Sequence, residues 1–225
     1  MKITWRSEAL NLFLIAAMFV ASAIVYPTAP DTIPVHWGLN GEPNGWGGKF
    51  EGLFLLPLMT AGIYLLLLFL PNIDPKRANY DKFGNVYRVI RTLIVVFMAS
   101  LHGVIIASIK GAGIDIGMAI LVLVGLMLAV LGNYLGKLKQ TWFVGIRTPW
   151  TMSSELSWTK THRLGGKIFV AFGLLLALAG IIGQTWLFVA VFGLFMVSII
   201  YLIFYSYLIW KSDPNKTNGT TKGLS

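Results

Sequence analysis

The 225-residue chain holds three histidines, nine acidic residues and no cysteine. Without cysteine there are no disulfides, thiolate metal sites or cysteine nucleophiles. The groups best suited to act on a substrate are His36, Glu42, Arg147, Glu155 and His162. None falls in an H-E-x-x-H, G-x-S-x-G or G-x-x-x-x-G-K-S/T pattern, so the sequence spells out no metalloprotease, serine hydrolase or phosphate-cradling loop. His36 has no second imidazole nearby and reads as a hydrogen-bonding side chain rather than a metal ligand. His102 sits in an apolar run and reads as a neutral residue that finds a partner inside the protein. No cofactor and no metal are expected.

These residues fall in two unusual segments. The first, residues 27–49, is rich in proline, glycine and asparagine, so it should contain turns rather than a long helix. It carries Pro34-Val35-His36-Trp37, then Gly41-Glu42-Pro43, then Gly45-Trp46-Gly47-Gly48 and Lys49. Tryptophan offers a flat amphipathic surface suited to recognition; resting in lipid headgroups is the plainer role for Trp37 and Trp46. The second segment, 136–167, contains Gly145-Ile146-Arg147-Thr148-Pro149-Trp150-Thr151. Pro149 disfavours helix at Thr148, which predicts a turn. Ser153 or Ser154 can then cap a helix, with Glu155 in its dipole-favoured first turn. Trp158, Thr159 and His162 follow Glu155 at helical spacing on one face. Gly165-Gly166 is expected to end or bend that helix. The Arg147 guanidinium is expected to organise the turn by pairing with Glu155 or with carbonyls near the Thr148–Thr151 turn.

What positions these segments is a set of membrane spans. The chain is 56% hydrophobic and 12% charged, with a mean hydropathy of +0.72. A soluble domain is about one-quarter charged. Lipid-buried backbone must satisfy its own hydrogen bonds, so apolar runs of roughly 20 residues read as helices. Six appear: Ala9–Tyr26, Leu53–Leu70, Thr92–Ile109 with Arg88 and Arg91 at its mouth, Ile116–Leu135, Leu164–Gly183 and Trp186–Trp210. The fold class expected is an all-α, polytopic bundle of six transmembrane helices. Lys2, Arg6 and Ala21-Ser22-Ala23 also resemble a cleaved signal peptide, but the apolar run continues past them. The organisation expected is an N-terminal module over 1–70, a second module over 71–210, and a disordered polar tail over 211–225.

Of the 18 lysines and arginines, sixteen fall on one side of these spans; only Lys49 and Lys110 fall on the other. That asymmetry predicts both termini in the cytoplasm. The net charge of +9 is then topology and contact with anionic membrane lipids rather than nucleic-acid binding.

The run from Gly145 to Lys167 resembles the signature of the SdpI family of bacterial toxin-immunity membrane proteins. Ile33-Pro34-Val35-His36-Trp37, Gly41-Glu42-Pro43, Trp46, Lys49 and Pro57 are similar to the uncharacterised module that often precedes it. The resemblance spans roughly residues 9–210. It departs at Lys139-Gln140-Thr141-Trp142, where Lys-Pro-Asn-Tyr is favoured, and at Gly38, where asparagine is usual.

The resemblance implies a six-helix protein of the bacterial cytoplasmic membrane that protects against a secreted peptide toxin; the recognition-like outer loop and the lack of an assembled reactive constellation lead us to expect protection without catalysis. The resemblance also implies signalling through a cytoplasmic repressor protein. The expected toxin-binding residues are Pro34, His36, Trp37, Gly41, Glu42, Trp46 and Lys49. Those of the cytoplasmic signature are Gly145, Arg147, Thr148, Pro149, Trp150, Glu155, Trp158 and His162.

Two other classes compete. A membrane enzyme would need convergent reactive groups, yet His36 and His162 fall on opposite faces. A transporter would need charged or broken helices at midplane, and the predicted spans offer only His102, Asn133 and a few hydroxyls. The topology is directly testable. A cysteine introduced at Asn44 of this cysteine-free chain is expected to react with a membrane-impermeant reagent in intact cells. Resistance to labelling until the cells are lysed would reverse the orientation.

Overall fold

The computed structural model describes residues 4–38 and 41–217. Helix α1 (Trp5–Val25) starts at Thr4, whose hydroxyl accepts from the Ser7 amide while the Ser7 hydroxyl caps Thr4 in return. An antiparallel hairpin follows, β1 (Thr32–Trp37) and β2 (Pro43–Gly48). Then come α2 (Lys49–Ile73), α3 (Tyr80–Ile109) and α4 (Ile116–Leu135), the last capped by Asp115. The short α5 (Pro149–Ser153) precedes α6 (Glu155–Ile182) and α7 (Thr185–Ser212). All but α5 are long and apolar enough to cross a membrane. The protein is a polytopic, all-α membrane bundle with one small hairpin.

Helices α1, α2 and α3 pack together, as do α4, α6 and α7, and α3 joins α4. Consecutive spans run in opposite directions, so the bundle has two distinct ends. One carries the hairpin and the α6–α7 turn. The other carries the α2–α3 turn, the 136–154 loop and both chain ends. Helix α6 is the most enclosed, with 44% of its apolar window buried, against 11% for α7. A lipid-facing helix needs no protein cover for its apolar surface, so α7 is peripheral and α6 central.

Glycine sets the α4–α6 contact. Gly166, Gly173 and Gly180 recur every seventh residue on α6, facing Gly132, Gly125 and Leu121 of the antiparallel α4. A Cβ on Gly166 would lie 2.6 Å from the Gly132 carbonyl oxygen. Lipid tails are as apolar as leucine, so helix association depends on this kind of close backbone packing. Gly132 and Gly136 both face α6.

Three expectations need correction. Helix α6 neither ends nor bends at Gly165-Gly166; both are buried, and their missing side chains admit Ile146 and the α4 backbone. Helix α1 begins before Ala9 and buries Glu8, and α3 begins long before Thr92 and buries Arg91. These two charges neutralise each other, which is why neither ends a span. Trp158 is 1% exposed, in a core with Tyr80, Phe83, Tyr87, Leu135 and Leu138. The polar tail is held as far as Thr217. Asp213 accepts from the Ser154 hydroxyl at 2.5 Å, and the Thr217 amide donates to the Ser153 carbonyl at 3.0 Å. Residues 218–225 of that tail lie outside the described residues. The Ser154 hydroxyl and the Asn215 amide hold the Asp213 carboxyl below the usual range. The contact is therefore present at neutral pH and is lost only as pH falls through that lowered pKa.

Gly166→Val is expected to cost about 1–3 kcal/mol, because the new branched side chain must push the α4 backbone away. Gly103→Ala, where a Cβ meets nothing within 4 Å, should leave the unfolding temperature in detergent unchanged.

Candidate functional site

At one end, the hairpin pairs Thr32 with Gly48, Ile33 with Gly47, Pro34 with Trp46, His36 with Gly45 and Trp37 with Pro43. Its register is irregular on both sides of His36. The glycines are sites of close approach: a Cβ on Gly45 would sit 2.8 Å from the His36 Cβ. Ile33 is fully buried against α2, where Gly52 makes room for it. That one residue plugs the hairpin into the bundle. His36 bonds Asn44 across the strands at 2.5 Å, so its ring serves the hairpin itself. Lys49 pairs with Asp31 at 3.2 Å. Trp46 is 61% exposed, while Trp37 is half-buried. Gly41 has a φ of +80° and packs on Gly117 and Asp115 at the start of α4. Glu42 lies exposed at the hairpin tip, its carbonyl accepting from Gly38.

At the other end, the 136–154 loop is a folded object. Thr148 caps α5 reciprocally with Thr151, and Pro149 occupies the first turn, where its missing N–H costs nothing. Ser154 caps α6 and Glu155 lies in the first turn, as the serine–glutamate pattern predicts. Trp158 stacks on His162 at a centroid distance of 3.9 Å and donates its indole N–H to the Leu138 carbonyl. The His162 Nε2 accepts from the Ile146 amide at 2.8 Å, and Nδ1 lies 2.7 Å from the Trp158 carbonyl. An amide on Nε2 and a carbonyl on Nδ1 allow one form only: neutral, with the proton on Nδ1. Gly145 is required here. Its φ is +118°, and a Cβ would lie 2.5 Å from His162 Nε2. Trp150 leans on the Tyr207 ring of α7.

Arg147 departs from expectation. It is exposed and donates to the Trp142 carbonyl, not to Glu155. Two further residues that knit the loop, Asp74 and Gln140, lie outside the predicted set. Asp74 accepts from the Lys76 amide, the Tyr80 hydroxyl and the Trp142 amide. Gln140 donates to the Thr151 and Met152 carbonyls and accepts from Lys76.

Between the ends lies a polar interior that the sequence barely hints at. Proline cannot donate to the carbonyl four residues earlier. Pro57 thus frees the Leu53 carbonyl, and Pro71 frees that of Leu67. The Ser22 hydroxyl takes the first at 2.6 Å, with His102 beside it at 3.3 Å; the Tyr87 hydroxyl takes the second at 2.5 Å. Glu8 and Arg91 form a buried ion pair at 2.5 Å, their side chains 5% and 0% exposed. Ser7, Asn11 and Tyr64 also donate to Glu8. A carboxylate near the start of an apolar run is the signal that could have revealed this cluster.

A multi-pass helical membrane protein is defined by these features, with an aromatic hairpin at one end and a buttressed polar loop at the other. Residues 137–206 match the SdpI/YfhL protein family, and residues 13–61 match a domain of unknown function (DUF1648). The chain is thus similar to the SdpI family over its C-terminal part and to that further domain over its N-terminal part. It is 24% identical to "Immunity protein SdpI" of Bacillus subtilis (strain 168) over 215 residues, spanning 96% of this chain and 99% of the relative. It is also 31% identical over 77 residues to an uncharacterized protein of Archaeoglobus fulgidus, which covers 34% of this chain and 42% of that protein. No solved structure matches.

Removing one member of a buried ion pair leaves an uncompensated charge and costs about 3–5 kcal/mol. Arg91→Met is expected to reduce folded yield accordingly. Adding Glu8→Gln should restore much of that yield. Strict additivity of the two changes would show that the pair is not coupled.

Proposed function

We propose that the chain is a membrane immunity protein that protects its bacterium from a secreted, membrane-active peptide. The carrying observation is the full-length similarity to a relative named as an immunity protein, hairpin segment and signature alike. The charge asymmetry supports an outward-facing hairpin and cytoplasmic termini. In that orientation Trp46 is presented to arriving peptide, and the signature loop faces the cytoplasm.

The reading is binding without turnover. All three histidines are engaged within the protein, by Asn44, by Ser22 and by the Ile146 amide with the Trp158 carbonyl. His36 and His162 stand at opposite ends of the bundle, too far apart to share a substrate.

Signalling to a cytoplasmic repressor is the finer reading. One observation favours it: the hairpin tip rests on α4, α4 packs along the glycine face of α6, and α6 carries Trp158 and His162 at its start. Peptide bound outside can bias the signature loop only if it prefers one arrangement of these helices.

Expression in a sensitive bacterium lacking its own immunity gene, challenged with a panel of secreted peptides, is expected to give survival against at least one. The Trp37→Ala, Trp46→Ala double variant should lose protection at normal expression, since a true aromatic hot spot is worth about 2 kcal/mol or more. Full protection by that variant would reduce both residues to headgroup anchors. Turnover of the peptide by purified protein would replace immunity by binding with an enzymatic reading.

A further inference from the structure

A cavity of about 220 Å³ opens where the hairpin meets the second helix group. Its wall includes Trp37, Asp115, Met118, Gln184, Thr185 and Phe188. Backbone shape builds it. Gly41 and Gly183 have φ values of +80° and +70°, which other residues rarely adopt. A Cβ on Gly117 would lie 2.7 Å from the Gly41 Cα, so the hairpin tip sits directly on the start of α4.

The lining is apolar and aromatic, with one charge, Asp115, and no lysine or arginine. Asp115 Oδ1 caps the Met118 amide at 2.9 Å, and among the described residues no partner engages Oδ2. The α4 N-terminus, which Asp115 caps, offsets part of this charge, and the other helix ends nearby add little. The α6 C-terminus and the α7 N-terminus meet at one wall, and their opposed half-charges offset each other. The whole hairpin end is also acidic, with Asp31, Glu42, Glu51 and Asp115 against Lys49 and Lys110, whereas the other end is strongly basic. A carboxylate, a tryptophan face and the neutral acceptors of Gln184 and Thr185 match an ammonium group.

Building on the immunity reading, we propose that this cavity receives a lysine-type ammonium carried on an apolar stretch of the secreted peptide. A zwitterionic lipid headgroup fits less well, because its phosphate would arrive beside Asp115 with no cation in the wall to meet it.

The probes are acetyl-Leu-Lys-Leu-amide and its norleucine isostere, titrated against the full chain in phosphatidylcholine nanodiscs, with empty discs subtracted. The lysine peptide should bind about tenfold more tightly, the combined effect of an exposed ion pair and a cation–π contact. Asp115→Asn keeps the helix cap, since asparagine caps as well as aspartate, and removes only the charge. It should bring the two probes to within about twofold of each other, while Asp115→Glu keeps most of the preference. Equal binding of both probes to wild type, or an unchanged preference in Asp115→Asn, overturns the proposal. Displacement of the lysine probe by phosphatidylethanolamine added to the discs also overturns it, in favour of a lipid headgroup. A chain that protects against no peptide yet keeps the lysine preference sinks the immunity reading and leaves the cavity assignment standing.

Discussion

Inside a bilayer no water is available to take up a stray polar group, and this constraint governs the whole bundle. Helix α2 contains two prolines, and each strips a hydrogen bond from its own helix. Both freed carbonyls find side chains from neighbouring helices: Ser22 with His102 for Leu53, and Tyr87 for Leu67. These contacts tie α2 to α1 and α3 at two heights. Glu8 and Arg91 obey the same rule, since neither charge is tolerable alone and together they link α1 to α3. The first helix group is thus joined by obligatory polar contacts, each of which fixes a register.

The second helix group is held differently. Between α4 and α6 the contact is backbone against backbone, made possible by glycines every seventh residue. Such packing is rigid and close, and it gives α4 and α6 little freedom to move apart. The hairpin tip rests on this pair through Gly41 and Gly117, and the signature loop is built on its opposite end. The hairpin and the signature loop therefore both rest on one closely packed unit, while α7 is much less enclosed than α6.

Much of this was legible beforehand. Apolar run length gave the six spans, because lipid thickness is a local constraint that any single segment must meet. The turn at Thr148–Pro149, the serine cap of α6 and the shared face of Trp158 and His162 were legible too, since caps and helical spacing depend on neighbours in sequence. The Gly145–Lys167 run carried the resemblance to the SdpI family. The partner of Arg147 was not legible: position in a turn suggested Glu155 or the carbonyls of the Thr148–Thr151 turn, but the loop folds so that the Trp142 carbonyl is the acceptor.

Sequence alone thus determined that this is a membrane bundle, which segments span it, and which two segments deserve functional scrutiny. Tertiary structure alone decided which polar groups meet. Glu8 finds Arg91 83 positions away, His102 finds Ser22 80 away, and Asp115 comes to share a cavity wall with Trp37. The reason is physical. A span is specified by the solvent each residue would face, which composition reveals. A buried pair is specified by the relative height and rotation of two helices, and those emerge only once every other contact between them has been satisfied.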